Sequence, residues 1–397
     1  CKRDYRKETE RVFSRICGKC GKFMVRVLHV LSSLGGGGVE SMLYNYYTHL
    51  NRDEIQFDFI VHGEKVGILE EKFLEMGSKI YHVKPKKEGL LQNLSQIKRI
   101  LYSQPRYDVV HCHQNLISFV PLYFAKKAGI NARIAHSHTT FSGKGTGREF
   151  INSVFRFLLK INANQFFACS VDAAKCLFGE KKYIEDKVYI IPNAIDESFY
   201  RFNPLIRNKV RRELHIEDKF VIGHVGRFSK EKNQKFVLQI FKEIYQLNKN
   251  SVLLLIGDGE LEQETKQLAS SFSASKNIVF LGLRKDVNCI LQAMDCFILP
   301  SLHEGFGIVL LEAQAAGLKC FASTAVPKET NVAGLVDFLE LSAGSNHWAD
   351  CILNYQHVYE RKAQTQKFIA SNYDIRQASN YLEKLYLNLF NSNTMRD

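Results

Sequence analysis

The chain has 397 residues, with 54 Lys and Arg against 41 Asp and Glu, and is 45% hydrophobic. At roughly 100–200 residues per domain, that length calls for two or three domains, each large enough to bury a core. With 25 Gly and 7 Pro the collagen-like and low-complexity classes are excluded, and no apolar run approaches the roughly 18 residues that cross a bilayer.

The positive charge is uneven. Residues 1–23 hold eight Lys/Arg against three Asp/Glu, residues 24–192 hold 22 against 15, and residues 193–397 hold 24 against 23. A basic first half suits an anionic lipid surface or a plainly solvated face. Nucleic acid is not an expected partner, because no zinc-finger spacing, RNP-like aromatic motif or Arg-rich helix accompanies the charge. The single CxxC, Cys17-Gly-Lys-Cys20, lacks the second pair of a structural zinc site, so no metal is expected there. Residues 1–23 show no apolar h-region and read as a basic leader outside the core. The chain reads as a cytoplasmic, reduced protein.

From Met24 onward, strand-length apolar runs alternate with helical stretches. "VRVLHVL" reads as a strand, followed by a glycine turn and a helix through "VESMLYNYYTHL". "FDFIVHG", "YDVVHCH", "ARIAHSH", "FFACS" and "VYIIPNAI" continue the series. A second series, "KFVIGHVGRF", "SVLLLIGDG", "NIVFLGL", "CFILPS" and "KCFAST", repeats the architecture without repeating the sequence. The pattern predicts an α/β protein of two Rossmann-like, doubly wound parallel-sheet domains facing across a cleft. The expected divisions are residues 24–194, 195–374 and a last helix from Ile375 that covers a neighbouring surface.

Ligands of such sheets bind beyond the carboxyl ends of the strands, where the informative residues fall. Gly35 to Gly38 follow the first strand and open a helix, either as a tight turn or as a loop that lets an anion approach backbone N–H groups. "GRFSKEKN" sets Arg227 and Lys232 five residues apart after a strand, which suits a diphosphate or a solvated basic loop. In "PSLHEGFGIVLLEAQAAG", Glu304 precedes a helix that carries Glu312. An acid inside so apolar a helix requires a partner.

Taken together these segments resemble the retaining glycosyltransferases of family 4, which have the GT-B fold. The resemblance rests on Glu304-x7-Glu312 enclosing Gly305-Phe306-Gly307, with Arg227 and Lys232 upstream. "GGGGVE", "VHCH", "AHSH", "IPNAID", "LLIGDGELEQE" and "LGLRKDV" occur in the family's order. It spans Met24 to the C-terminus and is nearest to bacterial enzymes assembling capsule or exopolysaccharide. One departure is "GLKC", with Lys319, where many relatives have "GxPV".

The resemblance implies roles position by position. Arg227 and Lys232 neutralise the donor diphosphate, Glu312 holds the nucleotide ribose, and Glu304 holds the transferred sugar. Gly305, Phe306, Gly307 and Ile308 complete the sugar-phosphate cradle, Leu283 and Arg284 flank the base, and Gly37 and Gly38 close over the diphosphate. His136 lies near the reacting centre, with His111, His113 and His138 as acceptor-side candidates. The expected donor is a UDP-sugar and the expected acceptor a glycan or isoprenoid-diphosphate-linked oligosaccharide, with no metal or other cofactor. A non-catalytic nucleotide-sugar-binding or scaffold protein on the same fold is the competing reading. The cytoplasmic membrane face is an expected contact, through Lys84, Lys86, Lys87, Lys126, Lys127, Arg148, Arg156 and Lys160, with Phe155, Phe157 and Leu158 as anchors.

Overall fold

The computed structural model describes residues 24–35, 37–103, 106–138, 146–180, 188–355 and 361–394. The basic leader, with Cys17 and Cys20, lies outside them.

The first unit comprises β1 (Val25–Val30), α1 (Gly38–His49), β2 (Ile55–His62), α2 (Glu70–Glu75), β3 (Ile80–Val83), α3 (Leu90–Leu101), β4 (Val109–Cys112), α4 (Phe119–Lys127), β5 (Ala132–Ser137), α5 (Thr146–Asn162), β6 (Gln165–Ala168), α6 (Val171–Phe178) and β7 (Tyr189–Ile190). Its seven strands are ordered β3-β2-β1-β4-β5-β6-β7 and pair in parallel. Strands such as β4, "VVHC", are buried on both faces, which is why they read as unbroken apolar runs.

The second unit follows with α7 (Glu197–Tyr200), α8 (Pro204–Glu213), β8 (Phe220–Val225), α9 (Gln234–Leu247), β9 (Ser251–Ile256), α10 (Glu262–Ser270), β10 (Ile278–Gly282), α11 (Val287–Ala293), β11 (Cys296–Leu299), α12 (Ile308–Ala315), β12 (Lys319–Ser323), β13 (Val336–Leu339), α13 (Gly344–Tyr355) and α14 (Thr365–Ile369). Its six parallel strands run β10-β9-β8-β11-β12-β13. Local chemistry sets the helix starts. Asn203 accepts from the N–H groups of Leu205 at 2.9 Å and Ile206 at 3.3 Å, with Pro204 in the first turn of α8.

The last helix, α15 (Ile375–Thr394), returns to the first unit and packs on α1 and β1. Asn51 N–H donates to Glu383 on that helix at 2.8 Å. The chain therefore crosses between units twice, and the two crossings touch. Ile195 and Asp374 form a parallel bridge, with Ile195 N–H donating to Tyr373 O at 3.1 Å and Ile375 N–H to Ile195 O at 3.2 Å. One apolar cluster spans both units. It joins Phe57, Phe59 and Tyr46 to Phe306, Ile308 and Leu311 of the second unit and to Leu382 and Tyr386 of α15.

In each sheet the strand order reverses at one place, between β1 and β4 and between β8 and β11. Crevices form at such switch points. The residues singled out by the sequence cluster beside both.

Candidate active site

Arg227 follows β8, and Lys232 ends a short 3-10 turn, Lys230–Lys232, that leads into α9. Lys232 Nζ forms an ion pair with Glu304 Oε1, and Ser301 donates to the same oxygen at 2.8 Å. The loops that carry the pair are tied together by backbone, since Leu302 N–H donates to Glu231 O at 2.8 Å. Asn233 Nδ2 adds a bond to Pro300 O at 3.1 Å. The Glu304 side chain is only 8% exposed, so its charge depends on these donors. The Arg227 side chain is exposed, while its carbonyl accepts from Gln234 Nε2 at 2.7 Å.

Between the two acids, Gly305-Phe306-Gly307 turns the chain into α12. Gly307 has φ +85°, a conformation that glycine adopts without steric cost. Phe306 is buried against Tyr373 at 5.2 Å between ring centroids, which anchors the loop beside the crossings. Ile308 begins α12, so the helix's first N–H groups lie beside Gly307. Glu312 is buried in that helix and accepts from the Tyr200 hydroxyl at 3.0 Å. Tyr200 is the partner that the acid required. Burial pushes the Glu312 carboxyl up to about 7, against the opposing pull of that hydrogen bond. Leu283 is half-exposed at the end of β10, and Arg284 beside it makes two bonds to Asp286, at 2.8 and 2.7 Å.

The glycine loop of the first unit faces this site. A Cβ on Gly37 would stand 2.7 Å from Glu40 Oε2, so the loop lies against a carboxylate. Gly38 has open space where its Cβ would be. Glu40 is buried and accepts from Ser33 Oγ at 3.1 Å. Burial raises its pKa, and the positive charge of Arg227 across the cleft opposes that rise. The sequence reading missed Glu40. Its signal was the acid that closes "GGGGVE".

Beside the β1/β4 switch point lie five imidazoles, four of them buried and that of His138 half-buried. His29 Nδ1 meets His113 Nε2 at 2.9 Å, and His113 Nδ1 meets His138 Nε2 at 2.8 Å. Separately, His111 Nε2 meets His136 Nδ1 at 3.0 Å, and His111 Nδ1 meets the Tyr386 hydroxyl at 2.7 Å. Burial lowers every one of these pKa values, to about 3 for His29 and His138, so all five rings are neutral at pH 7. His29 Nε2, His136 Nε2 and His138 Nδ1 are buried and have no partner among the described residues. His29, His111 and His113, and again His113, His136 and His138, bring ring nitrogens within 4.8 Å of one another. That is within reach of one cation, although several of these nitrogens already face each other in hydrogen bonds. The four expected histidines thus stand together, joined by two residues the sequence did not suggest, His29 and Tyr386.

Several expected surface contacts lie elsewhere. Arg156 is turned inward, with Nε donating to Leu177 O at 3.0 Å and Nη2 to Cys176 O at 3.3 Å. Lys86 is largely buried beside Gln114 at 3.4 Å, and Phe155 packs on Phe119 at 5.0 Å between centroids. The helix phase explains the difference. Phe150, Ile151, Val154, Phe157 and Ile161 are the exposed apolar residues of α5, at helical spacing along one side. The Arg148 side chain and residues 141–145 fall outside what the structure describes.

Known proteins resemble this chain in family and fold. The model for glycosyltransferase family 4 matches residues 36–199, and that for glycosyl transferases group 1 matches residues 206–334. EpsF of Bacillus subtilis (strain 168), itself assigned to the glycosyltransferases, is 30% identical over 379 residues, covering 94% of this chain and 98% of EpsF. The capsular polysaccharide biosynthesis glycosyltransferase CapH of Staphylococcus aureus is 25% identical, over 92% of this chain and 99% of CapH. The Escherichia coli UDP-Gal:alpha-D-GlcNAc-diphosphoundecaprenol alpha-1,3-galactosyltransferase is 30% identical over 59% of this chain and 64% of its own length. Among solved structures, Anabaena HepE in complex with UDP-glucose superposes with a TM-score of 0.67 at 18% identity, covering 94% and 98% of the two chains. The fold is GT-B, and the chain belongs to the family-4 glycosyltransferases.

The raised Glu312 pKa gives a stability test. An acid held at about 7 in the folded protein, against 4.5 unfolded, stabilises the fold fully below 4.5 and loses that contribution as pH rises through about 7. Glu312→Gln removes the titration. The variant is expected to gain on the wild type between pH 5 and pH 8, by on the order of 2–3 kcal/mol at most, read as the difference in denaturation midpoints. A constant difference across that range would show that Glu312 ionises normally.

Proposed function

We propose that the chain is a retaining, metal-independent transferase that moves a sugar from a UDP-sugar to a lipid-linked glycan in capsule or exopolysaccharide synthesis. The observation that carries this reading is the Lys232–Glu304–Ser301 cluster set beside Arg227 and the start of α12. When the anomeric carbon–oxygen bond breaks, positive charge grows on the sugar ring and negative charge on the leaving diphosphate. Arg227, Lys232 and the first N–H groups of α12 are the donors that meet that growing negative charge. A donor that strengthens as the charge grows stabilises the transition state more than the ground state.

Glu304, held by Lys232 and Ser301, accepts from the hydroxyls of the transferred sugar. Glu312 accepts from the ribose, Phe306, Gly307 and Ile308 offer backbone groups, and Leu283 and Arg284 flank the base. Gly37 and Gly38 approach the diphosphate from the first unit. His136 stands at the reacting centre, with His111, His113 and His138 toward the acceptor. Retention follows from attack on the face the diphosphate leaves, with that phosphate taking the acceptor's proton. The E. coli relative, which acts on a diphosphoundecaprenol-linked sugar, and HepE, which binds UDP-glucose, support the donor and acceptor classes.

The test begins with a thermal-shift screen of nucleotide-sugars, in which the donor stabilises the folded state by mass action. Transfer is then measured with EDTA present. Wild-type turnover is expected to persist, while Lys232→Ala and Glu304→Ala each fall by about 10²–10³-fold with unchanged circular dichroism. Near-normal turnover in either variant would remove its assigned role. Loss of wild-type activity in EDTA, restored by Mn²⁺ or Mg²⁺, would overturn the metal-free mechanism.

No helix among the described residues is long and apolar enough to cross a membrane. The reading places the protein on the cytoplasmic membrane face through the apolar side of α5. Phe157 is 63% exposed and Phe150 73%, and Lys160, Lys126 and Lys127 lie on the same or the adjoining helix. Each Lys near an anionic surface contributes about 1 kcal/mol, falling away within a Debye length. Sedimentation with anionic vesicles is expected to be strong at low salt and weak at high salt, and to be lost in Phe157→Asp. Equal binding to neutral vesicles, or none to either kind, would exclude electrostatic docking.

A further inference from the structure

We propose that Tyr386 is a positioning residue that, through His111, fixes His136 as a hydrogen-bond donor at Nε2 and so bars it from acting there as a base. The inference rests on the reading of His136 as a residue of the reacting centre. Its structural part can be tested without any activity.

A proton count carries the argument. A neutral imidazole has one N–H and one lone pair, so each N···N contact fixes the tautomer of one ring relative to the next. Tyr386 is fully buried, and its hydroxyl has one contact among the described residues, His111 Nδ1 at 2.7 Å. A phenol donates well to an imidazole lone pair, whereas a phenol oxygen is a poor acceptor by comparison. Tyr386 therefore donates to Nδ1, which leaves the His111 proton on Nε2. That N–H points at His136 Nδ1, 3.0 Å away, and donates to it. With its Nδ1 accepting, His136 must carry its proton on Nε2, the buried atom that has no partner among the described residues.

The neighbouring chain of rings supplies an internal contrast. His29, His113 and His138 are joined by two contacts, and both outer atoms, His29 Nε2 and His138 Nδ1, lack partners among the described residues. None of the described residues orients that chain at either end, so its protons can run in either direction. Among the described residues only the His111–His136 chain ends on a hydroxyl, which polarises it. A donor at His136 Nε2 binds a substrate oxygen and strengthens as that oxygen gains negative charge. It cannot take a proton from an attacking hydroxyl, which leaves the departing phosphate to do so. Burial also disfavours a cationic His136.

The experiment combines a spectroscopic and a kinetic readout on the full chain. Protein labelled with ¹⁵N at histidine is examined by long-range ¹H–¹⁵N correlation, with the His136 signals identified by their loss in His136→Gln. The wild type is expected to show a single His136 tautomer protonated at Nε2, and Tyr386→Phe a mixture. In transfer assays Tyr386→Phe is expected to lose about tenfold in kcat, the scale of one misdirected hydrogen bond, with donor KM within about twofold. His136→Gln, which can still donate, is expected to keep more activity than His136→Glu, which cannot. A His136 protonated at Nδ1 in the wild type, or a pattern unchanged in Tyr386→Phe, would overturn the relay. Higher activity in His136→Glu than in His136→Gln would overturn the donor role. If Tyr386→Phe proves unstable, the wild-type spectrum alone decides. If no donor is ever turned over, the spectrum still stands and the failure belongs to the functional reading.

Discussion

The parallel bridge between Ile195 and Asp374 is the constraint on which the rest of the site depends. It holds the outgoing and returning chain side by side, and each strand of the crossing delivers a tyrosine to a functional group. Tyr200, five residues after Ile195, reaches Glu312. Tyr373, one residue before Asp374, covers Phe306 in the glycine hinge. Tyr386, on the helix that begins at Ile375, reaches His111. These three contacts hold Glu312, the glycine hinge and the histidine cluster in place. A loose linker with the same two sheets would leave Glu312 without its donor and the His111 chain without direction.

The site is expensive to maintain. Two carboxylates, Glu304 and Glu312, are nearly buried in the second unit, and Glu40 is buried in the first. Each has its own compensation: a lysine and a serine for Glu304, a phenol for Glu312, a serine and a facing arginine for Glu40. The differences matter chemically. Glu312, which has only a phenol for company, is pushed by burial up to about 7. The imidazoles of His29, His136 and His138 add three buried ring nitrogens with no partner among the described residues. Apolar packing across both units offsets these costs, with Phe306, Ile308 and Leu311 joining the first unit's aromatic cluster.

Much of this was legible in the sequence, and the limit has a physical form. Arg227, Lys232, Glu304 and Glu312 could be picked out because each lies just beyond a strand or on the helix that follows, where local pattern fixes position. The partner of Glu312 could be demanded from its apolar surroundings but not named, since Tyr200 lies 112 residues away in sequence. Tyr386 is 275 residues from His111 and looked like one more residue of a Leu/Tyr-rich helix. His29 was hidden inside "VRVLHVL". Only the register that sets His29 opposite His111 on neighbouring strands shows that it joins the cluster. The outward face of α5 was read only in part: Phe157 lies on it, while Phe155 and Leu158 do not, because successive helical positions point in different directions.

The returning helix also changes what kind of object the second unit is. Both ends of the described chain, Met24 beside β1 and Thr394 at the end of α15, belong to the first unit. Residues 196–373 leave and re-enter it at two points that are hydrogen-bonded to each other. Topologically the second unit is a guest inserted at a single position of a host fold, and insertions with adjacent ends disturb their hosts least. Under the proposed function, donor preference and acceptor preference fall on separately heritable pieces, and exchange of the guest by recombination at that one junction gives a route to new sugar linkages on an old acceptor.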